Sequence, residues 1–243
     1  VSDPKPVDPR SWERADVLVP RLTGPVPELV SDGAGPPFPP EALSGSADPL
    51  DPTDPAVAAL LAQIRGQRPP LRLPWRRGAT RAAEDTPQAR AELAGWRELA
   101  RADGEALFAR GRPPALLTVA IGRDERTGLW GPLAITREKP LRAARDLIRA
   151  SSWRLDVGAE PQPQDTELRI LVTEQRRAGG KPATGRFQVP DLHLGPDQAI
   201  LTIFVNPLPV MGVQGPNPET PVRIALPEPL GERELLDGAI FTA

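Results

Sequence analysis

The chain of 243 residues has no cysteine, no tyrosine and a single histidine, His193. Thiol catalysis, disulfides, iron–sulfur clusters and thiolate zinc sites are thereby excluded. Metal sites that need two or three imidazoles from one chain go with them. Cysteine-free chains occur in reducing and oxidising compartments alike, so this absence does not fix a location. Lysine is scarce, 3 against 27 arginines, a bias that reads as a GC-rich, bacterial genome rather than a site. Long apolar runs are also missing. Ala56–Ala62 and Ala115–Gly122 are the longest candidates, at about eight residues each against the roughly 20 a bilayer span requires. The opening Val1-Ser2-Asp3-Pro4-Lys5 has neither the basic nor the apolar stretch of an export signal, so the expected location is cytoplasmic, with a secreted mature chain as the alternative.

What the chain does have is proline, 33 residues of 243 or about 14%, nearly three times the usual ~5%. With 21 glycines the two types reach about 22%, just short of the ~25–30% of wholly disordered sequences. Apolar residues at 39% leave enough for a core over part of the chain. Charge and proline divide the sequence in three. Residues 1–60 carry 4 basic and 10 acidic groups and 13 prolines. Residues 61–112 carry 11 basic and 6 acidic groups. Residues 113–243 carry 15 and 16, for a total of −2.

The expected organisation follows. Residues 1–53 read as an acidic, proline-rich extended arm, because Pro36-Pro37-Phe38-Pro39-Pro40 favours polyproline II and excludes helix. Trp12, Val17, Leu18, Val19, Leu22, Val26, Leu29 and Val30 are more apolar than a solvated linker needs, so the arm should lie along its own domain or a partner. Residues 54–112 read as a helical, basic segment. Asp54-Pro55 starts one helix, Val57, Leu60, Leu61 and Ile64 share a face, and Gly66 stops it. Thr86-Pro87 starts a second, expected to run to about Arg110.

Residues 113–243 read as strands. Leu117–Ile121 and Leu129–Ile135 flank a polar turn and predict a hairpin. A short helix is expected over 140–150. Further strands are expected at 153–157, 167–175, 186–189, 199–205, 222–226 and 239–242. The fold class is therefore α+β and β-rich: an antiparallel β-sandwich or jelly-roll-like C-terminal domain, preceded by two helices and the arm.

Chemistry is harder to find. His193 has Asp191 two residues away but no G-x-S-x-G serine to serve, and reads as a loop histidine between strands. Asp48, Asp51 and Asp54 recur every third residue but lack the register of a calcium loop, and read as a solvated edge ending in a helix cap. Glu167 and Glu174 sit at opposite ends of one strand, and Glu228, Glu232, Glu234 and Asp237 cluster later. Nothing in the spacing makes either set a glycosidase pair. Gly179-Gly180 precedes Lys181 but leads into a hairpin, so no phosphate loop is present.

The binding candidates are Trp130 and Trp153, as ligand platforms, and Arg72, Trp75 and Arg76 within the basic stretch 65–81. The slightly acidic net charge weighs against nucleic acid as the partner, and the basic stretch is matched by the acidic arm. The expectation is a non-catalytic β-sandwich protein that binds a protein partner or self-assembles through its arm, without metal or cofactor. The alternative is a carbohydrate-active module, binding sugar on its tryptophans or hydrolysing a glycoside with a carboxylate pair.

Overall fold

A computed structural model describes residues 7–44, 48–66, 84–175, 178–208 and 216–242. Each of its α-helices begins on a capping side chain followed by proline, which has no N–H to leave unpaired and a φ already suited to the helix. Asp8 accepts from Arg10 N before α1 (Pro9–Glu13). Asp54 accepts from Ala56 N and Val57 N before α2 (Pro55–Ile64). Thr86 accepts from Ala89 N before α3 (Pro87–Leu93).

The remainder is β-rich. The arm supplies β1 (Asp16–Leu18), β2 (Arg21–Leu22) and β3 (Leu29–Ser31). A meander follows α3: β4 (Trp96–Ala102), β5 (Glu105–Arg110), β6 (Leu117–Arg123) and β7 (Trp130–Arg137). Then come β8 (Leu141–Arg145), β9 (Ile148–Arg149), β10 (Ser152–Leu155) and β11 (Glu167–Thr173). The last strands are β12 (Asp191–Leu194), β13 (Gln198–Thr202), β14 (Thr220–Ala225), β15 (Glu234–Asp237) and β16 (Ile240–Phe241).

These elements form two compact units. One comprises Val1–Pro27 with Arg142–Phe241, the other Glu28–Leu141 with Thr242–Ala243. The acidic arm is thus divided between them, and the stretch 113–243 gives β6 and β7 to the unit that holds α2 and α3.

In the second unit, β4, β5, β6 and β7 pair in order as an antiparallel sheet. One face buries Phe108, Val119 and Ile121 against Val57, Leu60 and Leu61 of α2 and Leu93 of α3. Each such large side chain contributes roughly 1.5–3 kcal/mol by leaving water. The arm covers the other face. A Cβ on Gly35 would stand 3.1 Å from Leu107 Cδ1 and 3.3 Å from Ala120 Cβ, so a larger residue there would push on both by a few tenths of an ångström. Asp32, buried, accepts a hydrogen bond from the buried Thr118 hydroxyl. Val30 and Phe38 exchange backbone hydrogen bonds and are both fully buried, which folds the Pro36–Pro40 run back onto its own unit.

The first unit holds two mixed sheets, ordered β1-β14-β11-β10 and β15-β13-β12-β2. Leu168, Ile170 and Val172 of β11, with Val222 and Ile224 of β14, meet Leu192 of β12 and Leu201 of β13 in one core. The expectation of wholly antiparallel pairing fails at three edges: β1 runs parallel to β14, β2 to β12 and β15 to β13. Strands β1 and β2 arrive from the arm, so no hairpin dictates their direction. Strand β15 follows β14 of the opposite sheet, a crossover that returns it parallel to β13.

The helix expected from Thr86-Pro87 to about Arg110 ends at Leu93, and the helix expected over 140–150 is absent. Residues 96–110 form the β4–β5 hairpin, turned at Asp103-Gly104, where Gly104 has φ 75°. Asp-Gly is the residue pair that a two-residue hairpin turn demands, and it overrides the helical spacing of Trp96, Ala100 and Leu107. Residues 141–149 form the β8–β9 hairpin, with Asp146 at φ 51° beside the exposed Leu147. The β12 and β15 segments were not expected as strands, whereas 186–189 makes only the isolated bridge Phe187–Val205. The 117–135 hairpin and the 54–66 helix stand where the sequence places them.

Candidate functional site

The outward face of the β1-β14-β11-β10 sheet carries the most chemically distinctive surface. Alternation along β11 sends Leu168, Ile170 and Val172 inward and Glu167, Arg169 and Leu171 outward. The antiparallel register sets Arg169 directly opposite Arg223 of β14. Cross-strand neighbours stand about 4.5–5.5 Å apart at Cβ, and like charges so placed repel. Glu167 answers both only loosely, with Arg169 Nε at 3.8 Å and Arg223 Nη1 at 3.7 Å. Arg223 Nε is buried and has no hydrogen-bond partner among the described residues.

The arm completes the site. Trp12 of α1 is 7% exposed and packs with Ala15 and Val7 around Leu171. Its indole Nε1 donates to Asp156 Oδ2 at 3.2 Å. Asp156 Oδ1 also accepts from Val7 N at 3.3 Å and Val157 N at 2.9 Å, so the carboxylate pins the arm to the turn after β10. The Arg169 guanidinium lies 5.9 Å from the Trp12 ring centroid, within cation–π reach. Together α1, the 156–159 turn and the two arginines enclose a cleft of about 440 Å³, in the range of small-ligand sites. A second depression of about 410 Å³ shares Gly158, Ala159 and Arg169 with it and is otherwise lined by polar groups including Glu160, Gln164, Asp165 and Glu167.

The residues singled out from the sequence lie elsewhere. Trp130, on β7, packs half-buried against the α2 core cluster. Trp153, on β10, donates from Nε1 to Leu201 O at 3.0 Å and packs against the core between the two sheets. Each indole serves packing in its own unit. Arg72, Trp75 and Arg76 lie outside the described residues. His193 stands in β12 rather than in a loop, its Nδ1 3.1 Å from Thr23 O. Its neighbour Asp191 is engaged by Arg145 at 2.6 Å and by Arg21. Glu174 forms a two-pronged pair with Arg186. Asp51 caps Thr53 and Asp54 caps α2. Among the described residues no group of three or more His, Asp or Glu side chains could hold a metal ion, and no helix is long and apolar enough to cross a membrane.

A partly buried polar cluster adjoins β10. Burial holds the Asp237 carboxyl above the ordinary carboxylate range, against the opposing pull of the Ala239 amide, the Arg142 charge and the Trp153 amide. Arg142 donates to Ala150 O at 3.2 Å and Ser152 Oγ at 2.8 Å, and Gln175 Nε2 donates to the same hydroxyl at 3.0 Å. Perturbed acids often mark active sites. Here, among the described residues, no base accepts the Ser152 proton, and the arginine is held by acceptors of the fold itself. The cluster reads as structural.

No protein-family model matches the chain, and no curated protein or solved structure matches it either. The sequence reading missed Trp12 as a cleft residue, along with Asp156, Arg169 and Arg223. The outward alternation of Glu167 and Arg169 was visible, but the register that sets Arg169 against Arg223 was not.

Proposed function

We propose that this is a non-catalytic protein that binds a protein partner, and that the cleft under α1 is the contact surface. The observation that carries the reading is the Arg169–Arg223 pair: two adjacent guanidiniums, one with a buried unpaired Nε, beside an arm-built wall of Val7, Pro9, Trp12 and Glu13. Such an arrangement recognises an anionic group, and the Asp156 carboxylate beside it is already engaged by Trp12 and two backbone amides. In this reading the arm takes part in the contact, since Val7, Pro9 and Trp12 form the apolar part of the wall against which the partner would seat. We further read the two sheets of the first unit, which share one core, as the layers of a β-sandwich. The carbohydrate alternative draws less support, because Trp12 and Trp96 are buried and Trp130 and Trp153 are packed against cores, leaving no open aromatic platform among the described residues.

The test is site-specific photo-crosslinking of the full chain in its native host. Val157 lines the cleft and is 46% exposed. A crosslinker there should give one discrete product heavier than the chain, which weakens when Arg169 or Arg223 is replaced by methionine. A crosslinker at the exposed Leu147 should not give that product. The same products from both positions, or none from Val157, would overturn the proposal.

A further inference from the structure

We propose that the cleft takes an extended peptide segment of the partner, with one carboxylate bridging Arg169 and Arg223 and a cationic side chain a few residues further on. This rests on the partner-binding reading and names its chemistry. Three observations carry it. First, a planar carboxylate accepting from both guanidiniums would relieve the repulsion of the cross-strand pair, which Glu167 at 3.7 and 3.8 Å relieves only weakly. Second, Arg169 and Arg223 both line the cleft and both side chains are partly exposed, so their outer guanidinium N–H groups are open to a ligand oxygen. Third, the cleft is not a closed pocket for a single ion. It adjoins the second depression through Gly158, Ala159 and Arg169, and a Cβ on Gly158 would meet nothing within 4 Å. That second depression adds Glu160 and Asp165, apart from Glu167, whose carboxylate faces the arginine pair. The arginine pair, balanced by Glu13 and Asp156, thus stands at one end and an excess of carboxylates at the other, a gradient that complements an acidic residue followed by a basic one and disfavours a uniformly acidic run.

The recognised atoms are the carboxylate oxygens of an aspartate or glutamate, each accepting from a guanidinium N–H. Glu167 is the competitor for those donors. Its removal should therefore strengthen binding, an effect that loss of folding cannot imitate.

The experiment is calorimetric titration of the full chain, in buffer of low ionic strength, with the capped octapeptide Gly-Ser-Glu-Leu-Lys-Ser-Gly-Ser. Comparison ligands are its glutamine version, acetate and inorganic phosphate. The proposal predicts saturable one-to-one binding, at least tenfold weaker for the glutamine version and for R169M and R223M. It predicts binding at least threefold tighter for E167Q and unchanged for R126M, on the polar turn between β6 and β7. Acetate or phosphate binding as tightly as the peptide would reduce the site to an adventitious ion only and overturn the proposal. So would a peptide affinity indifferent to Arg169, Arg223 and Glu167. If no peptide binds while the Val157 crosslink still forms, the peptide chemistry fails and the partner reading stands. If both are lost, both fail.

Discussion

The indole Nε1 of Trp12 donates to Asp156 Oδ2 at 3.2 Å, joining residues 144 positions apart. That bond, with the Val7 amide on the same carboxylate, anchors the start of the arm to the turn after β10 at the wall of the cleft. Asp156 also accepts from two backbone amides. The D156A substitution should leave three donors short of an acceptor and destabilise the protein by about 2–4 kcal/mol. W12F replaces the indole by a smaller phenyl ring, loses the bond and some packing with it, and should cost about 1–3 kcal/mol. Urea unfolding midpoints measure both, and a D156A variant as stable as the native sequence would contradict the anchoring role.

On the other unit, Asp32 Oδ1 accepts from Ala34 N at 2.8 Å while Oδ2 accepts from the Thr118 hydroxyl. Both side chains are buried. T118V removes the second donor without changing volume much and should cost about 1–3 kcal/mol. Hydrogen exchange of the amides in β6 should rise with it. A variant as stable as the native sequence would mean that the arm is not held to this sheet by that contact.

Glu174 and Arg186 make the most buried ion pair, with side chains 4% and 14% exposed. Two guanidinium nitrogens reach the two carboxylate oxygens at 3.1 and 2.5 Å. R186M strands the carboxylate and should cost about 3–5 kcal/mol. The double variant with E174Q should recover a large part of that loss. A double-mutant cycle showing simple additivity would contradict the coupling.

Asp237 sets a pH dependence of definite sign. Its folded-state pKa is raised by burial above the ordinary 3.8, so the native state holds this proton more tightly than the unfolded chain does. The contribution of the group to stability is therefore greatest below about pH 3.8 and falls as pH rises through the folded-state pKa. D237N carries no such charge. Its stability relative to the native sequence should increase as pH is raised across that window and level off above it. A difference that stays flat from pH 3 to pH 7 would contradict the assignment.

Local signals were the legible ones. Asp54-Pro55 and Gly66 bound α2 because capping and stopping act within a few residues, and the 124–128 turn announced the β6–β7 hairpin for the same reason. Asp103-Gly104 was equally local, and it outweighs the helical spacing of Trp96, Ala100 and Leu107 because a two-residue turn fixes the pairing of both flanking strands. The cleft was not legible. It depends on which residue of β14 faces Arg169, and on α1 settling over Leu171, and both follow from long-range register rather than from any short run of sequence. The arm shows the limit from the other side. Of the apolar residues that implied contact, Trp12 and Val30 are buried while Val17, Val19, Leu22 and Val26 stay exposed, and only the pairing of β1 with β14 and the burial of Phe38 show the arm lying on the chain's own units.

The most direct test is a nitrogen–proton correlation spectrum of the arginine side chains, recorded while the glutamate–lysine octapeptide is added. The account predicts that the Nε–Hε signals of Arg169 and Arg223 shift together, saturate at one equivalent, and leave the other arginines in place. Signals of Arg169 and Arg223 that stay fixed, or a uniform drift of all arginines, would contradict it.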